Sequence, residues 1–306
     1  MPASVAVLMS TYNGEAFLDA QLASLCRQRG VAPQIHIRDD GSTDGTMALL
    51  RQRAASLDRI ASLSRGPNLG AAWSFLTLLR DAPDGCDCYA FCDQDDFWLP
   101  GKLARATSLL RDMPAGEPAL YCSQVTCADQ QLKPLGQPPV NGDTRFEHLL
   151  FENIAFGCTV VMNRAARDCI VARFPRQGVV MHDWWCALVV AGLGRLVYDS
   201  ESHILYRQHG GNAIGAETGF VEKAWRLAAA FWREPETFYP VHAQAAELLR
   251  LHGSRLAADR RARVEALVQS KTSLSARIRY ALCGEMVRSR LIGTLSARAL
   301  VLAGLY

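Results

Sequence analysis

Three carboxylates stand within four positions directly after a short apolar run. The run reads CYAFC over residues 88–92, and Asp93, Asp95 and Asp96 follow it. Like charges at this spacing repel each other, and burying one of them without a partner is costly. Two interpretations are open: a solvated loop in which Asp96 caps the next helix, or a site for a cation such as Mg²⁺ or Mn²⁺.

A second acidic pair, Asp39 and Asp40, follows the alternating run QIHIR and opens the segment DDGSTDGT. Ser42 or Asp44 can cap a helix that begins near the end of this segment, which explains why those two residues are there. Capping does not explain the acidic pair itself. A carboxylate at the end of a strand can accept hydrogen bonds from a nucleobase or a ribose.

The segment HDWW places His182 and Asp183 beside Trp184 and Trp185 at the start of a strongly apolar helical run. A carboxylate at a helix N-terminus is stabilised as the anion, so a simple helix cap is one interpretation. The other is a general base, Asp183, next to an aromatic wall that stacks on a sugar ring.

The segment YRQHGG collects Arg207, Gln208 and His209 in front of a glycine pair. Arginine and histidine in this position can contact a diphosphate, and histidine can also complete a metal site. A single histidine is more often structural, so that interpretation stays open.

Short apolar runs alternate with helical patterns through the first 113 residues, which predicts an α/β fold with a mostly parallel sheet flanked by helices. Ligands bind such sheets at the carboxyl ends of the strands. The segments STYNGE, DDGS and DQDD all fall at those ends. We therefore expect one site to collect all three.

The composition is that of an ordinary globular protein, with 306 residues, 49% apolar and 21% charged residues and a formal net charge of +3. That charge is too small to indicate a nucleic-acid partner. Residues 253–306 hold ten Lys and Arg side chains against three Asp and Glu. This basic segment is either a solvated face or a surface for anionic lipid.

The ten cysteines lack paired spacing, which favours buried thiols in a reducing compartment over disulfides or a zinc site. The first residues lack the pattern of a signal peptide, and the late apolar run LIGTLSARALVLAGLY is too short to span a membrane. We expect a cytoplasmic protein, with a peripheral location on the inner face of the plasma membrane as an option.

Taken together, STYNGE, DDGSTDGT, NLG, DQDD, HDWW and YRQHG resemble, in order and spacing, a family 2 glycosyltransferase of the GT-A fold. The forms DQDD, HDWW and YRQHG are most similar to rhamnosyltransferase-like members of bacterial polysaccharide assembly. The resemblance implies a glycosyltransferase domain over residues 1–215, divided into a nucleotide-binding half (1–113) and an acceptor half (114–215). Residues 216–306 form a helical, basic C-terminal region outside it.

The resemblance also implies roles for individual residues. Asp183 is the catalytic base. The donor nucleotide is bound by Thr11, Tyr12, Glu15, Asp39, Asp40, Asn68, Asp93 and Gln94. Among these, Asp40 is the partner of the nucleobase. A divalent cation, Mn²⁺ or Mg²⁺, is held by Asp95, Asp93 and His209. The acceptor or the diphosphate is contacted by His182, Trp184, Trp185 and Arg207.

The implied reaction is a metal-dependent, inverting transfer of a sugar from a nucleotide donor to a saccharide or lipid-linked saccharide. Rhamnose from dTDP-rhamnose is the first expectation, and a hexose or N-acetylhexosamine from a UDP donor is the alternative. A nucleotidyltransferase is disfavoured because STYNGE has one glycine and no Lys or Arg. An inactive GT-A module that serves as a scaffold is a further alternative, although Asp93, Asp95 and Asp183 are all present.

Overall fold

A computed structural model describes residues 2–114, 116–209, 240–283, 286, 288–289 and 291–306. Within these residues the larger sheet has seven strands in the order β10–β6–β9–β4–β1–β2–β3. Only β9 runs antiparallel to its neighbours, β4 and β6. The strands are β1 (Ala3–Thr11), β2 (Val31–Asp39), β3 (Ile60–Arg65), β4 (Cys88–Cys92), β6 (Ala119–Ser123), β9 (Val161–Asn163) and β10 (Arg195–Asp199).

A smaller four-stranded sheet lies beside the polar end of β4, with the order β5–β11–β7–β8. Its strands are β5 (Phe97–Trp98), β7 (Thr126–Ala128), β8 (Pro134–Gly136) and β11 (Ile204–Arg207). Because the DQDD segment runs from β4 directly into β5, which pairs with β11, the larger sheet holds one end of that segment and the smaller sheet holds the other.

Helices cover both faces of the larger sheet. They are α1 (Leu18–Cys26), α2 (Thr46–Ala54), α3 (Ala71–Asp81), α4 (Lys102–Arg111), α5 (Phe146–Leu149), α6 (Arg164–Val171) and α7 (His182–Leu193). The C-terminal helices are α8 (Val241–His252), α9 (Ala258–Ser270), α10 (Leu274–Leu282) and α11 (Leu291–Ala303). None of the described helices combines the length and apolar character needed to cross a membrane.

The core consists of two apolar clusters, one on each face of the sheet. Helix α7 is apolar on every side because it is buried on every side, from His182 to Gly192. The C-terminal helices contribute Val264, Tyr280 and Val301 to the same cluster. They are therefore packed against the helices on one face of the larger sheet, and their inner faces are part of the same core.

The sequence predicted the fold class correctly, and the runs QIHIR (34–38) and CYAFC (88–92) lie in strands. Strands β3 and β8 were not predicted. The expected cap at Asp96 is wrong, because α4 begins at Lys102 without any side-chain cap. The helical pattern over 218–239 lies outside the described residues, and from Val241 onward the described residues form the expected helices.

Gly194 ends α7 and lies against the backbone of the chain that enters β6. A Cβ atom at this position would lie 1.9 Å from the carbonyl oxygen of Pro118, and that oxygen accepts the hydrogen bond from Arg195 N that sets the register of β10. We expect Gly194→Ala to lower the free energy of unfolding by about 1–3 kcal/mol, as measured by urea denaturation. In the matched control, Gly101→Ala, the added Cβ meets nothing within 4 Å, and equal stability losses in the two variants would contradict this assignment.

Candidate active site

A cavity of about 570 Å³ opens at the carboxyl ends of β1, β2 and β4. Asp40, Asp93, Asp95 and Asp183 all line it, although they come from three distant segments of the sequence. This is the edge of a parallel sheet at which ligands bind. The predicted convergence of the polar segments is therefore what the fold produces.

Asp39 serves the structure of this edge and does not line the cavity. Its side chain is completely buried, and it accepts hydrogen bonds from Thr11 Oγ1 at 3.1 Å and from Ser42 N at 3.0 Å. Asp39 and Thr11 thus join the ends of β1 and β2. A direct contact with a nucleotide does not fit either residue, since both lie beneath the cavity surface.

Asp40 faces the cavity but is also anchored from behind. Its two oxygens accept hydrogen bonds from Leu69 N and Gly70 N, each at 2.9 Å, and the Arg38 guanidinium pairs with it. These bonds hold the turn that starts α3 and fix the direction of the carboxylate. Asn68, in the same turn, also lines the cavity.

Tyr12 and Gln94 are tied to each other across the mouth of the cavity. Tyr12 N donates to Gln94 Oε1 and Gln94 Nε2 donates to Tyr12 O, both at 2.9 Å. The Tyr12 side chain remains exposed, so its ring is available to a ligand. Glu15 points elsewhere, because its carboxylate accepts a hydrogen bond from Gly45 N at the start of α2.

In the acidic segment after β4, burial and mutual repulsion destabilise the ionised forms of the carboxylates. Burial, together with repulsion by Asp95 and Asp183, raises the pKa of Asp93 to about 8. Burial raises the pKa of Asp96 well above its usual value, and its neighbours Asp95 and Asp93 raise it further. Lys102 is buried beside them with its Nζ 3.5 Å from the centre of the Trp98 ring, and burial lowers its pKa to about 8.

Strand β11 fastens this segment in place. The His209 ring nitrogen Nε2 lies 2.8 Å from Asp95 Oδ2, and the ring stacks on Phe17 with 4.5 Å between centroids. Arg207 donates from Nε to Asp95 O at 2.7 Å and from its backbone N to Asp96 Oδ1 at 3.2 Å. Arg207 is therefore engaged below the cavity lining, whereas His209 directly orients one of its carboxylates.

The donor set suits a hard divalent cation. Asp93 and Asp95 both present oxygens to the cavity, and Mg²⁺ or Mn²⁺ prefers a few carboxylates with phosphate and water completing the shell. Ligand atoms of Asp93, Asp96 and Cys158 also lie within 4.8 Å of one another. Cys158 is a poor ligand for such a cation, because burial raises its pKa well above the usual value and keeps the thiol protonated.

Asp183 lies in the first turn of α7 at the opposite side of the cavity. Burial raises its pKa to about 7, even though hydrogen bonds from Trp184 N, the Asn153 side chain and Gly157 N favour the anion. A Cβ on Gly157 would lie 2.9 Å from His182 Nε2 and 3.3 Å from Asp183 Oδ2. The backbone therefore approaches Asp183 closely only because residue 157 is glycine.

The loop that holds Asp183 was missed in the sequence. Asn153 and Gly157 both belong to the run 153–158, which lines the cavity throughout. The only available signal was the glycine in AFGCT, and a single glycine in a loop is too common to indicate a site.

The predicted contacts of Trp184 and Trp185 are wrong, and that of His182 is corrected for the diphosphate only. His182 lines the cavity, but it is packed between Phe75 and Phe91, and burial lowers its pKa to about 3, so it stays neutral and offers no positive charge to a diphosphate. Trp184 is buried and donates from Nε1 to Leu149 O, and Trp185 is completely buried. Neither tryptophan lines the cavity, so the expected aromatic wall for a sugar is not formed by them.

Comparisons with known proteins identify one family. Residues 6–163 match the model of Glycosyl transferase family 2. The chain is 30% identical over 228 residues to the dTDP-rhamnosyl transferase RfbG of Shigella flexneri, which covers 72% of this chain and 78% of that protein. It is also 30% identical over 106 residues to the Escherichia coli UDP-Glc:alpha-D-GlcNAc-diphosphoundecaprenol beta-1,3-glucosyltransferase WfgD, covering 35% of this chain and 40% of that protein.

Solved structures share the fold at low sequence identity. Residues 1–349 of S. aureus TarS in complex with UDP-GlcNAc superpose with a TM-score of 0.60 at 15% identity, covering 98% of this chain and 81% of that one. The mannosyltransferase PcManGT of Pyrobaculum calidifontis, in complex with GDP-Man and Mn²⁺, gives 0.53 at 18% identity, with 99% and 80% covered.

The raised pKa of Asp183 has a consequence for stability. Between pH 3.8, the ordinary pKa of the group in the unfolded chain, and pH of about 7, the folded state holds a proton on Asp183 that the unfolded state has lost. The free energy of unfolding therefore falls as the pH rises through that window. We expect Asp183→Asn to raise the free energy of unfolding by about 1–2 kcal/mol at pH near 8, with a smaller gain near pH 5. Urea denaturation at the two pH values measures both.

Asp199 provides the matched control. It is equally buried, and although burial raises its pKa, hydrogen bonds from Arg105, Glu201 N and Tyr121 lower it overall. Asp199→Asn should therefore destabilise the protein at neutral pH. A loss of stability in Asp183→Asn of the same size would refute the assigned cost of burying Asp183.

Proposed function

This chain belongs to glycosyltransferase family 2 and is a glycosyltransferase of the GT-A fold, and on that premise we propose that it transfers rhamnose from dTDP-rhamnose with inversion, using Mn²⁺ or Mg²⁺. The observation that carries the proposal is the single cavity lined by Asp40, Asp93, Asp95 and Asp183. It offers a nucleotide contact, a cation site and a base in one space.

The choice of donor is supported by the relative from Shigella flexneri, whose name gives dTDP-rhamnose as its donor and which spans most of this chain. Asp40 is held with its carboxylate toward the cavity, where it can accept a hydrogen bond from a base imide. A UDP-hexose or UDP-N-acetylhexosamine is the alternative donor, supported by the UDP-sugars named for WfgD and for TarS. Thymine and uracil present the same imide edge, so Asp40 alone does not distinguish them.

In the proposed mechanism Asp183 removes the proton from the acceptor hydroxyl as that hydroxyl attacks the anomeric carbon. Its pKa of about 7 makes it a base that is half ionised near neutral pH. Asn153 and Gly157 N hold its carboxylate by hydrogen bonds, which directs it toward the bound acceptor.

Asp93 and Asp95 would hold the divalent cation, and His209 orients Asp95 from behind. When bound, the cation supplies positive charge that stabilises the departing nucleoside diphosphate. Tyr12, Gln94 and Asn68 line the cavity beside these carboxylates and complete the proposed nucleotide side.

We propose a saccharide, free or lipid-linked, as the acceptor and a peripheral position at an anionic membrane surface. The name of WfgD gives a diphosphoundecaprenol-linked sugar as the acceptor of that relative. The excess of Lys and Arg in residues 253–306 supports contact with anionic lipid.

The base assignment predicts a specific pH profile. For the wild type, kcat/KM should fall about tenfold per unit of pH below about 7, because protonated Asp183 cannot accept the acceptor proton. Asp183→Asn should lower kcat by about 100-fold or more while still binding the nucleotide donor. Asp112→Asn, at an exposed position, is the control and should keep the activity of the wild type. Full turnover by Asp183→Asn, or an unchanged acid limb in that variant, would contradict the role.

The cation and donor assignments are tested together by release of nucleoside diphosphate from a panel of dTDP-, UDP- and GDP-sugars. We expect release from dTDP-rhamnose that depends on added Mn²⁺ or Mg²⁺, and a loss of about 100-fold or more in Asp95→Ala. Asp112→Ala removes an exposed carboxylate at the end of α4 and should change nothing. Full metal-dependent activity in Asp95→Ala would refute the cation site, and preference for a UDP-sugar would select the alternative donor.

A further inference from the structure

Helices α10 and α11 expose large apolar side chains on their outer sides. On α10 these are Leu274, Ile278 and Leu282, and on α11 they are Leu291, Ile292, Leu295 and Leu302. Four of the seven are extreme in exposure: Leu274 at 58%, Leu282 at 72%, Leu291 at 74% and Ile292 at 78%. We define these seven side chains as the apolar stripe.

The stripe follows the period of a helix. Leu274, Ile278 and Leu282 are spaced four residues apart, so they share one side of α10. On α11 the exposed residues lie within one face, whereas Ala297 and Val301 are buried against the core on another. Each helix therefore has two apolar faces, and only the inner one has a partner among the described residues.

Basic side chains lie on the same part of the chain as the stripe. Lys271 and Arg279 are exposed, and Arg277, Arg288 and Arg298 are partly exposed. Residues 271–306 hold six Lys and Arg side chains against one acidic residue, Glu285. A second copy of this chain, placed face to face by a twofold axis, would bring these cations against their own equivalents. Anionic lipid headgroups would instead neutralise them while the acyl region receives the leucine and isoleucine side chains.

We propose that the outer face of α10 and α11 is a docking surface that inserts the apolar stripe into the interface of an anionic lipid bilayer. The helices lie in the plane of the interface, because no described helix can cross it. This assigns residues to the peripheral location proposed above, and the docking itself does not depend on which sugar is transferred.

The docking surface is joined to the active-site loop by direct bonds. Between α10 and α11, Ser289 N donates to Glu152 Oε2 at 2.7 Å, and Arg288 Nη2 lies 3.6 Å from Glu152 Oε1. Glu152 directly precedes Asn153, the hydrogen-bond partner of Asp183. Docking therefore holds the bilayer close to the loop beside the base, which suits a lipid-linked acceptor if the proposed function holds.

The test is flotation of the full chain with vesicles of phosphatidylcholine, with or without phosphatidylglycerol, in the absence of any donor. The wild type should float with the anionic vesicles at low salt and not with the neutral ones. The double variant Leu282→Glu/Ile292→Glu should lose at least about tenfold in bound fraction. Leu135→Glu is the matched control, because Leu135 is 62% exposed on β8, away from the stripe, and it should float like the wild type.

Two results of the flotation experiment would overturn the proposal: no flotation of the wild type with anionic vesicles, or undiminished flotation of the double variant. Sedimentation of the same proteins can give a third contradicting result. If the wild type self-associates and the double variant is monomeric without any change in vesicle binding, the stripe is an interface between copies. Thermal melting confirms that each variant is folded, and release of nucleoside diphosphate in solution is scored separately, so a failed donor assignment leaves the docking result intact.

Discussion

The mutual repulsion of buried carboxylates is the constraint on which this active site depends. Asp93, Asp95 and Asp183 line one cavity, and Asp96 is buried next to the first two, so water cannot solvate all four carboxylates. Cationic side chains and hydrogen-bond donors behind the cavity partly offset the repulsion between the carboxylates. Lys102 lies beneath the cluster, Arg207 crosses under Asp95 and Asp96, and His209 bonds Asp95. Strands β5 and β11 of the smaller sheet hold Lys102, Arg207 and His209 in these positions.

The carboxylates divide into two kinds according to how well they are satisfied. The carboxylate oxygens of Asp39 and Asp40 accept hydrogen bonds from backbone or arginine donors, and these bonds stabilise the edge of the sheet. Asp93 is partly buried and Asp183 is buried, and their pKa values are raised to about 8 and about 7, so the protein alone compensates the ionised forms poorly. Groups held in that state are candidates for chemistry, since a cation or a substrate proton can supply what the protein does not.

The sequence was sufficient for the fold class and for the convergence of the polar segments, because apolar runs of strand length such as CYAFC stand out between helical patterns. It was insufficient where the decisive contacts join distant positions. Strands of two or three residues, such as β5 and β8, are too short to show periodicity. The tryptophans after Asp183 looked like a sugar platform, yet α7 is buried on all sides, so they belong to the core. Lys102 and Asn153 carry no local signal at all, because their roles arise only when the loops meet.

The C-terminal helices show why charge alone could not assign a surface. A basic segment is compatible with a solvated face and with a surface for anionic lipid, and the count of arginines does not distinguish the two. The position of the apolar residues relative to the core does: Val301 and Ala297 are buried, whereas Ile292 and Leu295 on the same helix are exposed. A helix that needed only solvent on its outer side would gain nothing from leucine and isoleucine there, and it would risk self-association. The same segment bonds Glu152, which directly precedes Asn153 in the cavity lining, so direct contacts join the helices with the exposed apolar face to the loop beside Asp183.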